Sequence, residues 1–241
     1  MLEDYRAGLK PAKIIALLYE AGEAINRLDR PSLKNACRAV DPDHWLYAAA
    51  KVIQHGSNYG MGIPTMQSNL MKGSFKHGGV PIYMEHADAR RLQEMYFSRY
   101  FGVRLWHQWA ESKLVADGTL TSASGHTRVF FGRRFGKDIH ETVKQFLADE
   151  PQQNTTWATN LAMLNLWNDP ENRRPDGSLI IEPLHQVHDA LCGQWPRGCR
   201  DWARAKVRSY FNNPLTIAGI TLTIPFDGAY GTSWGDLTNP L

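Results

Sequence analysis

The chain has 241 residues, 43% hydrophobic and 21% charged, with 27 Lys and Arg against 24 Asp and Glu for a net charge of +3. That is material for one sizeable core or two small ones, burying roughly 70 to 75% of the unfolded surface, and it excludes a disordered tail or a disulfide-stapled miniprotein. The mild positive charge permits an anionic partner without demanding one.

Cys37, Cys192 and Cys199 form no CxxC pair, which argues against a disulfide framework and a thiolate metal site. A reducing, cytoplasmic location is the expectation. No apolar run approaches the roughly 18 residues needed to span a bilayer, and MLEDYRAGLKPAK has no signal-peptide core. No membrane partner is expected.

In chain order, apolar residues at helical spacing predict a helix over Lys13 to Ala24, and Asp43 is placed to cap a second from His44 to about Asn58. A short helical pattern follows Gly60-Met61-Gly62. Then come a Gly/Pro loop from Lys76 to Pro81, an amphipathic stretch from Tyr83 to Phe101 and a helix from Val103 to Ala116. Thr119 to Ser122 and Thr127 to Phe131 read as a small hairpin around Ser124-Gly125. Helical pattern resumes over Asp138 to Asp149 and, after a break at Glu150-Pro151, over Gln152 to Trp167.

Asn168 to Ser178 has the composition of a surface turn. Ser178 to Leu184 and Gln186 to Cys192 read as paired strands flanking His185. Arg200 to Phe211 reads as a basic helix, and Thr216 to Phe226 as one or two closing strands. The expected class is α+β, a helical part over 1–150 and a mixed part over 151–241.

Four stretches carry candidate chemistry. Lys51, His55 and Tyr59 are spaced i, i+4, i+8, so a helix sets a cation, an imidazole and a phenol on one face. Such a face suits a nucleotide, with lysine for a phosphate and flat rings for a base or ribose. Gly56 and Gly60 would let a ligand approach the backbone. An ordinary helix with a polar stripe is the competing reading.

In Leu184-His185-Gln186-Val187-His188-Asp189, a carboxylate at the tip of an apolar strand pair is costly unless it meets a cation or a donor. Asp189 is therefore a candidate ligand for Mg²⁺, which uses one or two carboxylates plus substrate phosphates. A zinc site from His185, His188 and Asp189, as in a metal-dependent hydrolase, and a turn aspartate capped by amides are the alternatives. Arg128, Arg133 and Arg134, interleaved with Phe130, Phe131 and Phe135, suit a nucleic-acid backbone or a solvated basic face. Pro151-Gln152-Gln153-Asn154-Thr155-Thr156 opens a helix with more amides than capping needs.

In this order the four stretches resemble one family. AAAKVIQHGSNYGMG is similar to the fingers-helix motif of the family A DNA polymerases, the bacterial DNA polymerase I and phage replicase family. GHTRVFFGR resembles that family's Gly-Arg hairpin, PQQNTTWATNLAM its Pro-x-Gln-x-Thr helix and LHQVHDAL its palm motif. NPLTIAGITLTIPFDGAYGTSW is similar to its closing strands. The resemblance covers roughly Ala7 to Trp234.

It implies a helical fingers subdomain over 1–150, with the small basic hairpin at about 119–131, and part of an antiparallel palm sheet over 151–241. Lys51 would contact the phosphates of an incoming dNTP, with His55, Tyr59 and Gly60 beside the nucleotide. Asp189 would hold catalytic Mg²⁺. Gln153, His188, Gln186, Arg128 and Arg133 would contact primer-template DNA. The implied chemistry is attack of a primer 3′ hydroxyl on an α-phosphate between two metals about 4 Å apart.

The chain departs from the pattern in four places. His55 stands where the family has Phe or Tyr, Tyr47 where many members have Arg, and Ala190 where a glutamate follows the palm aspartate. The palm motif D-x-S-x-I-E-L-R, with the second metal-binding aspartate, is absent, and Asp4 does not replace it. The resemblance therefore implies the C-terminal piece of a split polymerase, of bacteriophage type and acting in the host cytoplasm. A partner polypeptide would supply the thumb, the rest of the palm, the second aspartate and any exonuclease. A truncated reading frame and an inactive DNA-binding remnant are the alternatives. A split there would leave an unpaired strand edge and apolar surface for the partner.

Overall fold

Helix α2 (Pro11–Ala21) follows a five-residue helix α1 (Leu2–Arg6), has a proline in its first turn, where the missing N–H costs nothing, and buries Ile14, Ile15 and Leu18. It ends at Gly22, φ 63°, and passes into a 3-10 segment, Gly22–Arg27. These lie within the residues described by the computed structural model, 2–73, 81–132, 134–136 and 139–241. The expected Gly/Pro loop falls almost wholly outside them.

The chain divides into two compact units, 1–118 with 130–148, and 119–129 with 149–241. In the first, α3 (Arg30–Ala39) is a helix the sequence reading leaves unassigned. Its signal is local: Asp29 accepts a hydrogen bond from the Ser32 amide at 2.9 Å, and a proline sits in the first turn. Helix α4 (Trp45–Asn58) starts after His44, not at an Asp43 cap. The Asp43 amide instead donates to Asp41 Oδ1 at 2.9 Å, so the two aspartates close their own turn before the helix begins.

Helices α5 (Ile63–Met71), α6 (His86–Arg99) and α7 (Gly102–Asp117) complete this layer, and α7 stops at Gly118, φ 64°. Its core joins Ile14 and Ile15 of α2, Ala49, Ala50 and Ile53 of α4, Met66 and Leu70 of α5, and Leu92 and Tyr96 of α6. The two alanines of α4 let neighbouring backbones approach closely. The unit also holds Phe130 and Phe146, ring centroids 4.9 Å apart.

The second unit contains hairpin β1 (Thr119–Thr121) and β2 (Thr127–Val129), antiparallel as expected. Helix α8 (Ile139–Asn168) is one helix of 30 residues where the sequence reading breaks it at Pro151. A proline inside a helix costs roughly 3 kcal/mol through a lost hydrogen bond and a clash. Buried side chains on both sides of it, Phe146 and Leu147 before, Ala158, Ala162 and Leu166 after, outweigh that cost. Residues of α8 through 148 belong to the first unit and those from 149 to the second.

After α8 come β3 (Glu182–Val187), β4 (Ala190–Gln194) and α9 (Arg200–Phe211), then β5 (Pro214–Ile217), β6 (Ile220–Thr223), β7 (Ala229–Tyr230) and β8 (Asn239–Pro240). The reading placed the turn of the first ribbon at His185. Instead β3 runs through His185 and turns at His188-Asp189, with Val187 opposite Ala190. The α+β class holds, with the strands among the described residues forming four separate two-stranded antiparallel sheets.

Ala162, Leu166, Leu179, Ile181, Ala203 and Tyr210 form this unit's core. Fully buried Asn172 ties the connection down: its side chain donates to the carbonyls of Leu166 and Ile181, both at 3.1 Å, and accepts from the Ile181 amide at 2.7 Å. Asp169 accepts from Lys206 at 2.8 Å and from the Tyr210 hydroxyl at 2.6 Å. No helix among the described residues is long and apolar enough to cross a membrane.

Candidate functional site

Helix α4 brings Lys51, His55 and Tyr59 onto one face. Lys51 and His55 are exposed, and the phenol of Tyr59 is half-buried, its ionisation pushed up by burial. The rings of His55 and Tyr59 meet edge to face, centroids 4.9 Å apart. The Lys51 ammonium lies 5.4 Å from the centroid of buried Tyr47, and Lys13 of α2 lies 5.6 Å from the same centroid. Tyr47 thus supports the lysine stem through packing and cation–π attraction.

The glycines divide. Gly60 is exposed with φ 69°, a conformation that favours glycine. Gly56 does not open the backbone to a ligand, because it is buried against Met61 and Met66. A Cβ there would meet Met61 Sδ at 3.0 Å, so packing accounts for this glycine.

Sequence reasoning missed what fixes the end of α4. The Tyr96 hydroxyl donates to Asn58 Oδ1 at 2.6 Å, and His107 Nε2 donates to the Asn58 carbonyl at 2.9 Å. Gln93 of α6 donates toward Ser57 Oγ at 3.3 Å and the Met61 carbonyl at 3.2 Å. Tyr59 therefore follows a turn held by α6 and α7. Burial raises the Tyr96 phenol to about 12, against the Asn58 bond, and holds the His107 imidazole below its ordinary value. Both stay neutral near pH 7.

In the second unit the β3–β4 turn carries His188 and Asp189. His188 has φ 52°, a left-handed conformation rare outside glycine. Such strain costs on the order of 1 kcal/mol and concentrates at functional sites. Asp189 is exposed, so its carboxylate keeps water and does not require a cation on desolvation grounds, contrary to the sequence argument. Buried Thr159 of α8 donates from Oγ1 to the Asp189 carbonyl at 2.9 Å, and Gln186 donates to Asn160 Oδ1 at 2.6 Å. Half-buried Gln153 lies seven residues before Asn160, on the same face of α8.

Arg128 on β2 donates to Asp149 Oδ1 at 2.7 Å, and the Asp149 side chain is almost wholly buried. Burial and that carboxylate push neighbouring Glu150 up. Arg128 thus anchors the hairpin to α8, a role sequence reading did not assign. Arg133 lies outside the described residues. Among those described, no three His, Cys, Asp or Glu residues gather to hold a metal, and His185, His188 and Asp189 form no such group. Asp189 by itself does not make the two-metal site the resemblance implies.

No protein-family model matches the chain, and no curated protein is significantly similar to it. Among solved structures it is similar to the POL domain of Pol1 from M. smegmatis, determined in complex with DNA primer-template and dNTP. The TM-score is 0.64 at 21% identity, over 94% of this chain and 38% of that one. The fold resembles that of a DNA polymerase domain. The chain spans well under half the length of this structural neighbour.

Proposed function

We propose that the chain is the fingers and C-terminal palm portion of a DNA-directed DNA polymerase of the family A type, encoded by a phage and acting in the host cytoplasm. The observation that carries the reading is the fold likeness over 94% of the chain to a polymerase domain that binds primer-template and dNTP. Residues 1–150 are mainly fingers and 151–241 palm in this reading. Lys51, His55, Tyr59 and Gly60 take the nucleotide. Gln153, Gln186, His188 and Arg128, with Arg133 outside the described residues, take the DNA.

The described residues do not by themselves fit a pair of Mg²⁺ ions, since among them no three His, Cys, Asp or Glu side chains gather around Asp189, and two bridged metals need a second carboxylate. In this reading a partner polypeptide supplies that carboxylate and the thumb. The lone carboxylate also favours a second reading, a DNA-binding module without chemistry.

Primer extension separates them. The chain mixed with its partner extends a primer only with Mg²⁺, and Asp189→Asn abolishes extension while DNA binding persists. DNA binding by the mixture without any incorporation establishes the module, and extension by the chain alone removes the need for a partner.

A further inference from the structure

A peptide unit is planar and carries one donor and one acceptor, so a unit bonded at both ends has its plane fixed. The unit joining Asn58 to Tyr59 is held in this way. Its N–H, on Tyr59, donates to the Gly56 carbonyl at 3.1 Å, and its carbonyl, on Asn58, accepts from His107 Nε2 at 2.9 Å. The first bond is local to α4. The second comes from α7 and spans 49 residues.

The Asn58 carbonyl lies in the last turn of α4, where helix geometry supplies no donor. His107 supplies it. Two neighbours aim its ring: Phe97 of α6 meets it edge to face with centroids 6.0 Å apart, and Trp106 lies tilted at 5.6 Å. A neutral imidazole has one N–H, and a carbonyl only accepts, so the bond places that N–H on Nε2. The Tyr96 and Gln93 bonds grip the Asn58 side chain and the Met61 carbonyl, and neither reaches the 58–59 peptide itself.

The plane of that peptide decides where Tyr59 points. Tyr59 has φ −101° and ψ 20°, and the chain then turns away at Gly60, φ 69°. With the backbone set on both sides, the phenol lies against His55, centroids 4.9 Å apart. We propose that His107 is the positioning residue for Tyr59: its Nε2–H holds the 58–59 peptide so that the phenol stays on the face shared with Lys51 and His55. This rests on the reading of that face as the nucleotide site. His107 acts there through the backbone, without touching nucleotide or DNA.

The test compares His107→Gln with His107→Met. The two side chains match in length and differ little in helix propensity, but only glutamine sets an N–H where Nε2 stood. Fluorine NMR of the full chain carrying 3-fluorotyrosine at position 59 reads the ring, and primer extension by the chain mixed with its partner gives kcat and KM for dNTP. In His107→Met the fluorine signal should broaden or split, and KM should rise roughly fivefold with kcat within twofold, the weight of one hydrogen bond on nucleotide binding. His107→Gln should keep the single signal and a KM within twofold of the original. An unchanged signal in His107→Met overturns the proposal. Equal damage in both variants, or loss of folding in His107→Met, also overturns it, because either assigns the ring to packing. The polymerase reading fails separately: the expected fluorine response with no incorporation by the mixture keeps the positioning role and ends that reading, whereas incorporation with an unchanged KM in both variants does the reverse.

Discussion

Replacing Thr159 with valine tests whether α8 holds the turn that carries Asp189. Valine keeps the branched shape and has nearly the same helix propensity, so the substitution removes chiefly the hydroxyl. That hydroxyl has one proton and two acceptors within reach, the Asp189 carbonyl at 2.9 Å and the Thr155 carbonyl at 3.4 Å. The shorter bond, spanning 30 residues, is the one that matters. A net hydrogen bond is worth about 0.5–1.5 kcal/mol, and exposed Asp189 lets water replace part of it, so the loss should be about 1 kcal/mol. Local opening of the ribbon then becomes roughly fivefold more frequent. Hydrogen exchange should show the amides of Gln186, Val187 and Leu191 exchanging about fivefold faster, with those of α2 and α4 unchanged. Unchanged ribbon exchange, or equal acceleration in both units, would refute the idea that this bond positions the turn.

Lys51→Ala should leave the melting temperature within a degree or two, because the ammonium is exposed, and weaken dNTP binding in the assembled enzyme roughly tenfold, the loss of one charge-assisted contact; a nucleotide titration reads it. Asn172→Ala removes three buried hydrogen bonds and should destabilise the second unit by about 2–4 kcal/mol in urea unfolding. For His107, burial lowers the folded value against the raising effect of the Asn58 bond. Its contribution is therefore complete above the unfolded value of about 6.5 and declines as the pH falls below it toward the lowered folded value. His107→Gln should flatten that decline in urea midpoints measured from pH 7.5 to 5; an unaltered slope would assign it to other groups.

Periodicity made most helices legible, since apolar residues such as Ile14, Ile15 and Leu18 mark a buried face directly. Lys51, His55 and Tyr59 could be set on one face by counting alone. Three features were hidden for separate reasons. Helix α3 carried its signal in Asp29, Pro31 and Ser32 rather than in a long apolar stripe. The passage of α8 through Pro151 depends on burial distant in sequence from the proline. The turn at His188-Asp189 needed a non-glycine residue at positive φ, which turn statistics disfavour. Asn58, Thr159 and Asp149 escaped notice because their partners lie 21 to 49 residues away, and nothing in the local sequence announces them.

The shared ring of Tyr47 ranks its two lysines. Lys13 also donates to the Val40 carbonyl at 3.1 Å, a bond that ties it to the end of α3. Lys51 rests on the ring, a contact worth about 0.5–1 kcal/mol at an exposed site, whereas a charge-assisted hydrogen bond is worth about 1.5–3 kcal/mol. In the proposed nucleotide-binding reading, an arriving phosphate would therefore draw the Lys51 ammonium off the ring while Lys13 keeps Tyr47 in place. The aromatic ring would then act as a parking position: it limits the wandering of a long side chain, and its hold is weak enough to yield to a stronger, charge-assisted partner.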